Sequence, residues 1–375
     1  MGFEIRNLRV EDFEPFMRYV ERAFGHSKGF FQRVFPQCYQ PTPEACSWAY
    51  IVEENGKIVS HVGVYPIEIV TAGVALRVGG IGAVSTAPEA RGKGYMTQLL
   101  YHAIDEMRRI GYPISWLGGD RQRYGTFGWE HASPKYRLEI SRRALEWAKV
   151  APVPLVEVYP AEAEATVRKF QSLPACHPIR PHLAQQLQRV DLRFWIAEDG
   201  YAIVEGQERD TVALAELVSA SGNEAGMIRT ILECTFGDRL WWELSCWDEE
   251  RIARLMPVVS YWTAGHSAQY RINDLTELLL AARPHLAGRA SALRDFAVAV
   301  GIREHDRTQV TTISVERGDV SIEAGSHAAT YVELSPVTAA RLFLGGPAIP
   351  ERAQLPGGLP ALLPVPAYVA PMEHV

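Results

Sequence analysis

Apolar side chains recur along the first 145 residues with two different periods. Phe13, Phe16, Met17, Val20 and Phe24 fall on one face of a helix, and Asp12 stands at the positive end of its dipole. Strand-like runs follow at residues 48–53, 57–70 and 74–86, with Glu54-Asn55-Gly56 as a hairpin signal between the first two. Past Pro88 the spacing turns helical again, at Met96, Leu99, Leu100, Ala103, Ile104 and Met107. A strand is expected at 113–117, and 136–140 is expected to close the sheet.

Around Ala151-Pro152-Val153-Pro154 the composition becomes Pro-rich, which marks a junction. Beyond it the rhythm repeats: a helix near 161–171, strands at 201–205 and 212–219, and a helix over 225–232. The last hundred residues change character. A short apolar helix is expected at 275–282, and strands at 309–315 and 320–324 flank Arg317-Gly318. Ser335-Pro336 then opens a helix that Gly345-Gly346 ends, before a Pro-rich apolar tail. The expected division is therefore 1–145, 146–273 and 274–375, within what 375 residues allow.

Composition narrows the class. A hydrophobic content of 47% supports packed cores. The formal net charge of -6 leaves no basic footprint for nucleic acid. No apolar run approaches the ~20 residues of a membrane span. The opening MGFEIRNLRVEDF lacks the apolar core of a signal peptide, and Arg6 breaks the myristoylation pattern. Five scattered cysteines suit a reducing cytoplasm better than a disulfide framework. A cytoplasmic protein without membrane or nucleic-acid partners is expected.

The turn after the third strand carries the most chemistry. Arg91-Gly92-Lys93-Gly94 sits at the start of a helix, where backbone N–H groups are unpaired and the dipole is positive. Two glycines permit close approach and two basic residues add charge, a combination suited to pyrophosphate. Taken alone, the loop also reads as an ordinary β–α turn with solvated basic residues. A dinucleotide fingerprint lacks its third glycine and ribose-binding acid, and no Gly-Lys-Ser/Thr occurs for a P-loop.

Arg91-Gly92-Lys93-Gly94-Tyr95-Met96 resembles the Arg/Gln-x-x-Gly-x-Gly/Ala loop of the GNAT N-acetyltransferases, with Met96 departing at the last position. That departure resembles one branch, the enhanced intracellular survival (Eis)-like acetyltransferases. Tyr124-Gly125-Thr126-Phe127-Gly128-Trp129 is similar to that branch's Tyr-Gly-x-Phe-Gly-aromatic segment. The resemblance is specific over about the first 145 residues and softer beyond. It implies an α/β GNAT fold, a second degenerate GNAT-like unit and a C-terminal α+β domain like sterol carrier proteins. In the second unit Ser221-Gly222-Asn223-Glu224-Ala225-Gly226 would replace the loop, lacking basic residues and carrying a carboxylate that repels pyrophosphate. That copy reads as structural.

The resemblance further implies acetyl-CoA as co-substrate and a primary amine, small-molecule or protein-borne, as acceptor. It also implies that the chain can assemble with copies of itself. Arg91, Gly92, Lys93, Gly94, Tyr95, Met96 and Thr97 would bind the pyrophosphate, the backbone of Val84, Ser85 and Thr86 the pantetheine arm, with Gly119 and Asp120 close by. No metal is implied. Acetyl transfer to an amine needs a base, because alkylammonium pKa values lie near ~10.4, and an acid for the departing thiolate. The resemblance gives Tyr124 the acid's role and the terminal carboxylate, here of Val375, the base's. A frayed terminus is the competing expectation. His61 is an alternative base by chemistry alone.

Phe24, Phe30, Phe31 and Trp48 are candidates for an amine pocket, with Asp120 or Glu130 supplying charge, although core packing is the favoured role for most of those aromatics. Gly25-His26-Ser27-Lys28-Gly29 matches a hydrolase elbow but follows a helical pattern where that motif needs a strand. Cys176, His177 and His182 lack the rest of a zinc ligand set. A non-catalytic acyl-CoA or lipid-binding protein of the same fold is the alternative to an enzyme.

Overall fold

The computed structural model describes residues 3–346 and 349–375. Among the described residues seventeen strands form two sheets. They are β1 (Glu4–Asn7), β2 (Ala49–Glu54), β3 (Lys57–Thr71), β4 (Val74–Thr86), β5 (Ile114–Leu117), β6 (Glu130–Ser141), β7 (Val156–Val158), β8 (Cys176–Ile179) and β9 (Arg193–Ala197). There follow β10 (Gly200–Glu208), β11 (Thr211–Ser219), β12 (Arg239–Ser245), β13 (Tyr261–Ile272), β14 (Phe296–Arg303), β15 (Thr308–Glu316), β16 (Asp319–Ala324) and β17 (Tyr331–Leu334).

The first thirteen make one sheet in the order β1-β2-β3-β4-β5-β13-β6-β12-β11-β10-β9-β7, with β8 added to β3. Local turn chemistry sets the β2–β3 hairpin: Asn55 and Gly56 both take positive φ, 53° and 72°, as a two-residue turn between twisted strands requires. The helix Tyr95–Arg109 packs on β3 and β4 through Leu99, Leu100, Ala103, Ile104 and Met107. Each fully buried leucine there contributes ~1.5–3 kcal/mol of apolar burial. Its first buried residue is Tyr95, whereas the expected Met96 is only half-buried, because the Tyr95 hydroxyl is drawn to Glu54.

One expectation about the sheet fails. Residues 136–140 lie in β6, which does not close onto β5. β13 takes that place, with Gln269–Ile272 antiparallel to Ile114–Leu117. β6 is one strand further out, between β13 and β12. β13 is held there by burial: Ala268, Tyr270 and Ile272 share a core with Trp116 and with the helix Leu275–Ala281. The sheet therefore runs unbroken across the expected boundary near 145 and ends with β13 at Ile272, the later strands forming the other sheet.

β4 and β5 are parallel and pair only from Val78↔Ile114 to Ile81↔Leu117, after which they part. β11 and β12, also parallel, pair from Thr211↔Arg239 to Leu214↔Trp242 and part likewise. Beside the second split the helix Glu224–Thr235 begins, but its first turn is closed. The Asn223 side chain accepts from Gly226 N at 3.2 Å, and Glu224, 1% exposed, is bound by Arg254.

The second sheet has the order β16-β15-β14-β17. Arg317 and Gly318 make its β15–β16 turn at φ 51° and 86°. Ser335 caps the helix Pro336–Leu344 by accepting from Thr338 N at 3.2 Å. The tail then runs back between the sheets: Val365 N donates to Phe343 O at 2.7 Å and Val369 N to the Tyr270 hydroxyl at 3.0 Å.

Candidate active site

The split between β4 and β5 gives the site its backbone. β4 runs on to Thr86 after β5 has ended at Leu117. A bulge marks the same place: His61 faces Ser85 and Gly63 faces Gly82, so β4 holds one residue more than β3, and Ala83 turns left-handed at φ 48°. Bulges re-aim backbone groups beside functional sites. Val84, Ser85 and Thr86 are half-buried along this edge. The hydroxyls of Ser85 and Thr86 are engaged internally, with Tyr19 (3.2 Å) and Ser60 (2.8 Å). What these residues present outward is backbone.

β4 delivers the chain to the loop. Gly92 and Gly94 stand at φ 79° and 80°. A Cβ on Gly92 would meet nothing within 4 Å, and one on Gly94 only Gln98 Nε2 at 3.9 Å, so both face open space. Gly94 caps the helix Tyr95–Arg109 with no side-chain acceptor, leaving its first-turn N–H groups to face outward. Thr97 is exposed on that turn. Arg91 is exposed, and its side chain makes no hydrogen bond or ion pair among the described residues. Lys93 differs from expectation. Its ammonium is held by both oxygens of Glu54, at 2.9 and 2.8 Å, and this contact lowers the Glu54 pKa and raises that of Lys93. The free charge of the loop is thus carried by Arg91.

On the far side of the split, β5 turns through Gly119 and Asp120. Gly119 is at φ 148°, its carbonyl accepts from Gln269 Nε2 at 2.8 Å, and a Cβ there would stand 2.7 Å from the Tyr124 ring. Asp120 is occupied as N-cap of the turn Arg121–Gly125, accepting from Arg123 N at 2.7 Å. Tyr124 is 8% exposed and packs edge-on to Trp129. Burial raises its pKa, with Arg123 opposing, so the phenol keeps its proton at neutral pH. Glu130 is bound twice by Arg121, at 2.6 and 2.5 Å, and is not free to hold an amine.

The terminus is docked rather than frayed. A Cβ on Gly82 would lie 2.9 Å from the carboxyl carbon of Val375 and 3.0 Å from its oxygen, and one on Gly80 would lie 2.8 Å from its Cγ2. The carboxyl group of Val375 therefore sits against the first β4 residue beyond the split. Next to it is a small cavity of about 40 Å³ whose walls include Trp48, Tyr65, Glu68 and His182. His61 is elsewhere in chemical terms. It is fully buried, its Nδ1 lies 2.8 Å from the Ala83 carbonyl, and burial holds its pKa down to about 4.

Of the four candidate pocket aromatics, Trp48 alone lines this cavity. Phe24, at the end of the first helix, and Phe30 instead pack on Phe31 in the short helix Phe30–Val34. Tyr65, whose ring lies over Gly63 and Gly82, was missed, since nothing in its local sequence separates it from the other buried aromatics of β3. Arg180 and Glu373, which anchor the tail, were missed for the same reason. Ser27, in the elbow-like segment, follows the helix Phe13–Phe24 and not a strand. His177 Nδ1 lies 2.7 Å from the Pro174 carbonyl and His182 packs on Trp48. Among the described residues no group of three or more His, Cys, Asp or Glu gathers as a metal site, and no helix is long and apolar enough to cross a membrane.

The site thus combines a split parallel pair, a bulged strand and a glycine loop at a helix N-terminus. Residues 4–132 match the family model of an acetyltransferase (GNAT) domain, so the chain carries such a domain. The whole chain is similar in structure to a probable N-acyltransferase from Enterococcus faecalis V583, with a TM-score of 0.70 at 18% identity over 92% of this chain and 90% of that one. It is similar to a GCN5-related N-acetyltransferase from Kribbella flavida, with a TM-score of 0.71 at 17% identity over 99% and 97%. It is also similar to Eis1 from Mycobacterium abscessus, with a TM-score of 0.67 at 16% identity over 96% and 96%. No curated protein matches the chain in sequence. These likenesses show a mixed α/β GNAT fold.

Proposed function

We propose that this protein is an N-acetyltransferase that moves an acetyl group from acetyl-CoA to a primary amine by direct attack. The GNAT domain over residues 4–132 supports acetyl transfer. The observation that carries the mechanism is the carboxyl group of Val375 against Gly82, at the mouth of the β4–β5 split. Acetyl-CoA fits the residues present: open space surrounds Gly92 and Gly94, the Arg91 side chain is unengaged among the described residues, and the N–H groups of an uncapped helix face outward. Arg91–Thr97 would hold its pyrophosphate, and the backbone of Val84–Thr86 its pantetheine arm, near Gly119 and Asp120. When bound it supplies an acyl thioester.

The chain's own groups then divide the proton work. A terminal carboxylate, ordinarily of pKa ~3.3–3.7, is ionised at neutral pH and accepts the proton of the incoming ammonium. Tyr124, kept protonated by burial, donates to the departing thiolate. Residues 146–273 are read as a second, non-catalytic GNAT-like unit, its closed helix start at Glu224 supporting that role. Residues 274–375 are read as a sterol-carrier-protein-like domain.

The test is an enzyme amidated at Val375 by semisynthesis, which removes the charge and keeps the packing. Turnover should fall by ~10²–10⁴-fold, as for loss of a positioned base. Full activity in the amidated enzyme would remove Val375 from the mechanism. Failure of the unmodified protein to release CoA with any of a panel of amines would favour a non-catalytic binder.

A further inference from the structure

The second split in the large sheet resembles the first, except that β10 carries an extra residue of its own, Glu205. β11 also carries a bulge where it leaves its parallel neighbour: Ile203 faces Glu216 and Val204 faces Leu214, leaving Ala215 as the extra residue. In β4 the bulge stands two residues past the last pair with β5; in β11 it stands one residue past the last pair with β12. The two splits differ in what fills them. The second is filled by the chain itself.

Tail residues Tyr368, Ala370 and Pro371 share the walls of one small cavity with Glu216 of β11 and Glu243 of β12, and Met372 packs in one core with Ala215 of β11. The Tyr368 hydroxyl donates to the Glu243 carbonyl at 3.4 Å. Arg180 forms the main anchor. Its side chain is 0% exposed; its Nε donates to Glu373 Oε1 at 2.8 Å, and its Nη atoms donate to Glu216. Gln186 Nε2 donates both to the Met372 carbonyl, at 2.8 Å, and to Glu373 Oε2, at 3.1 Å.

Two buried carboxylates on one buried guanidinium are a poor source of net stability, since desolvation offsets much of the attraction. They do, however, fix register, because Glu373, Gln186 and the Nε of Arg180 lose partners if the tail shifts, while Glu216 keeps Arg180 and the Tyr201 hydroxyl. Two residues separate Glu373 from the terminus, so a released tail could swing Val375 through roughly 7 Å. We propose that the second split is a dock for the chain's own tail, and that Arg180, Glu373 and Gln186 are positioning residues that set the carboxyl group of Val375 against Gly82. This rests on the reading of that carboxylate as the base. The second unit thereby completes the first unit's site.

The experiment compares three full-length variants with the wild type: Glu373→Gln, Gln186→Met and deletion of Val375. Glu373→Gln keeps the side-chain shape and leaves Arg180 balanced by Glu216; Gln186→Met removes two tail bonds without stranding a charge. Calorimetry gives acetyl-CoA affinity, thermal melting the folded fraction, and initial rates kcat and its pH profile. Both tail-anchor variants should lose at least tenfold in kcat per folded molecule, with acetyl-CoA affinity within twofold of wild type. The limb of the pH profile that belongs to the base should shift, and carboxypeptidase should release the terminal residues faster. A merely structural anchor would lower the melting temperature and leave kcat per folded molecule and the pH profile unmoved; that result overturns the proposal. Inactivity on deleting Val375 together with wild-type turnover in both anchor variants overturns the dock alone. Full activity on deleting Val375 overturns the base itself, and the dock with it.

Discussion

Gly82→Ala is the sharpest single-atom perturbation of this site. Its φ lies outside the left-handed region, so alanine brings no backbone strain. The added Cβ would stand 2.9 Å from the carboxyl carbon of Val375, 3.0 Å from its oxygen and 3.0 Å from the Tyr65 ring. Ordinary carbon–carbon contact is ~3.5–4.0 Å, so something must move by roughly 0.5–1 Å. β4 is held at Gly82 by its ladder to β3 and one residue earlier by β5, and the Tyr65 ring is buried at 2% exposure. The chain end, held on one side only, is the part free to yield. A displacement near 1 Å at a reacting group costs on the order of 10²-fold, or about 2.7 kcal/mol in the barrier. The assay is kcat at saturating acetyl-CoA with a rate-limiting amine, beside acetyl-CoA affinity by calorimetry and a thermal melt. The expected result is a ~10²-fold lower kcat with the fold intact. Gly265→Ala, where a Cβ meets nothing within 4 Å, controls for loss of a strand glycine. Wild-type kcat in Gly82→Ala would show that the carboxyl group does no chemistry where it sits.

Three further outcomes are expected. Gly94→Val forces a β-branched residue to φ 80° at the mouth of the loop, so acetyl-CoA affinity measured by calorimetry should fall at least tenfold; undiminished affinity refutes the pyrophosphate assignment. Tyr124→Phe should lower kcat by ~10²–10⁴-fold with little change in cofactor affinity, and unchanged turnover with a rate-limiting amine would make Tyr124 a packing residue. His61 governs acid stability: burial lowers its folded pKa from 6.5 to about 4, so the unfolded chain binds the extra proton in that window. Its contribution is therefore complete above pH 6.5 and is lost as pH falls toward 4, worth about 3 kcal/mol in all. Melting temperatures of His61→Gln should depend less on pH across that range than those of the wild type, and an equal slope would refute the assignment.

What was legible in the sequence was what neighbours decide. Asn55-Gly56 and Arg317-Gly318 fix their hairpins because the left-handed turn chemistry is contained in the two residues themselves. Ser335 announces its helix through its own cap bond, and Gly92 and Gly94 announce the loop. The placement of β13 beside β5 was not legible, because 143 residues separate Leu117 from the start of β13 at Tyr261. Its alternation is that of any half-buried strand, and sequential strands are neighbours only about two-thirds of the time. The neutralisation of Lys93 by Glu54 was hidden in the same way. Each residue reads as a solvated charge until the β2–β3 hairpin brings Glu54 under the loop.

The two proposed proton carriers fall on opposite sides of that divide. Tyr124 belongs to a short motif, and its burial against Gly119 and Trp129 is set within ten residues. The position of Val375 depends on Gly80 and Gly82 in the first unit, Glu216 in the second and Phe343 in the third. The proposed acid is therefore robust to changes far away, and the proposed base is exposed to them. A substitution that loosens any of the three units reaches the base through the tail. The acid should keep its pKa in such a variant, so the pH profile should lose the limb belonging to the base first. A local Tyr124 substitution should remove the other limb and leave that one in place.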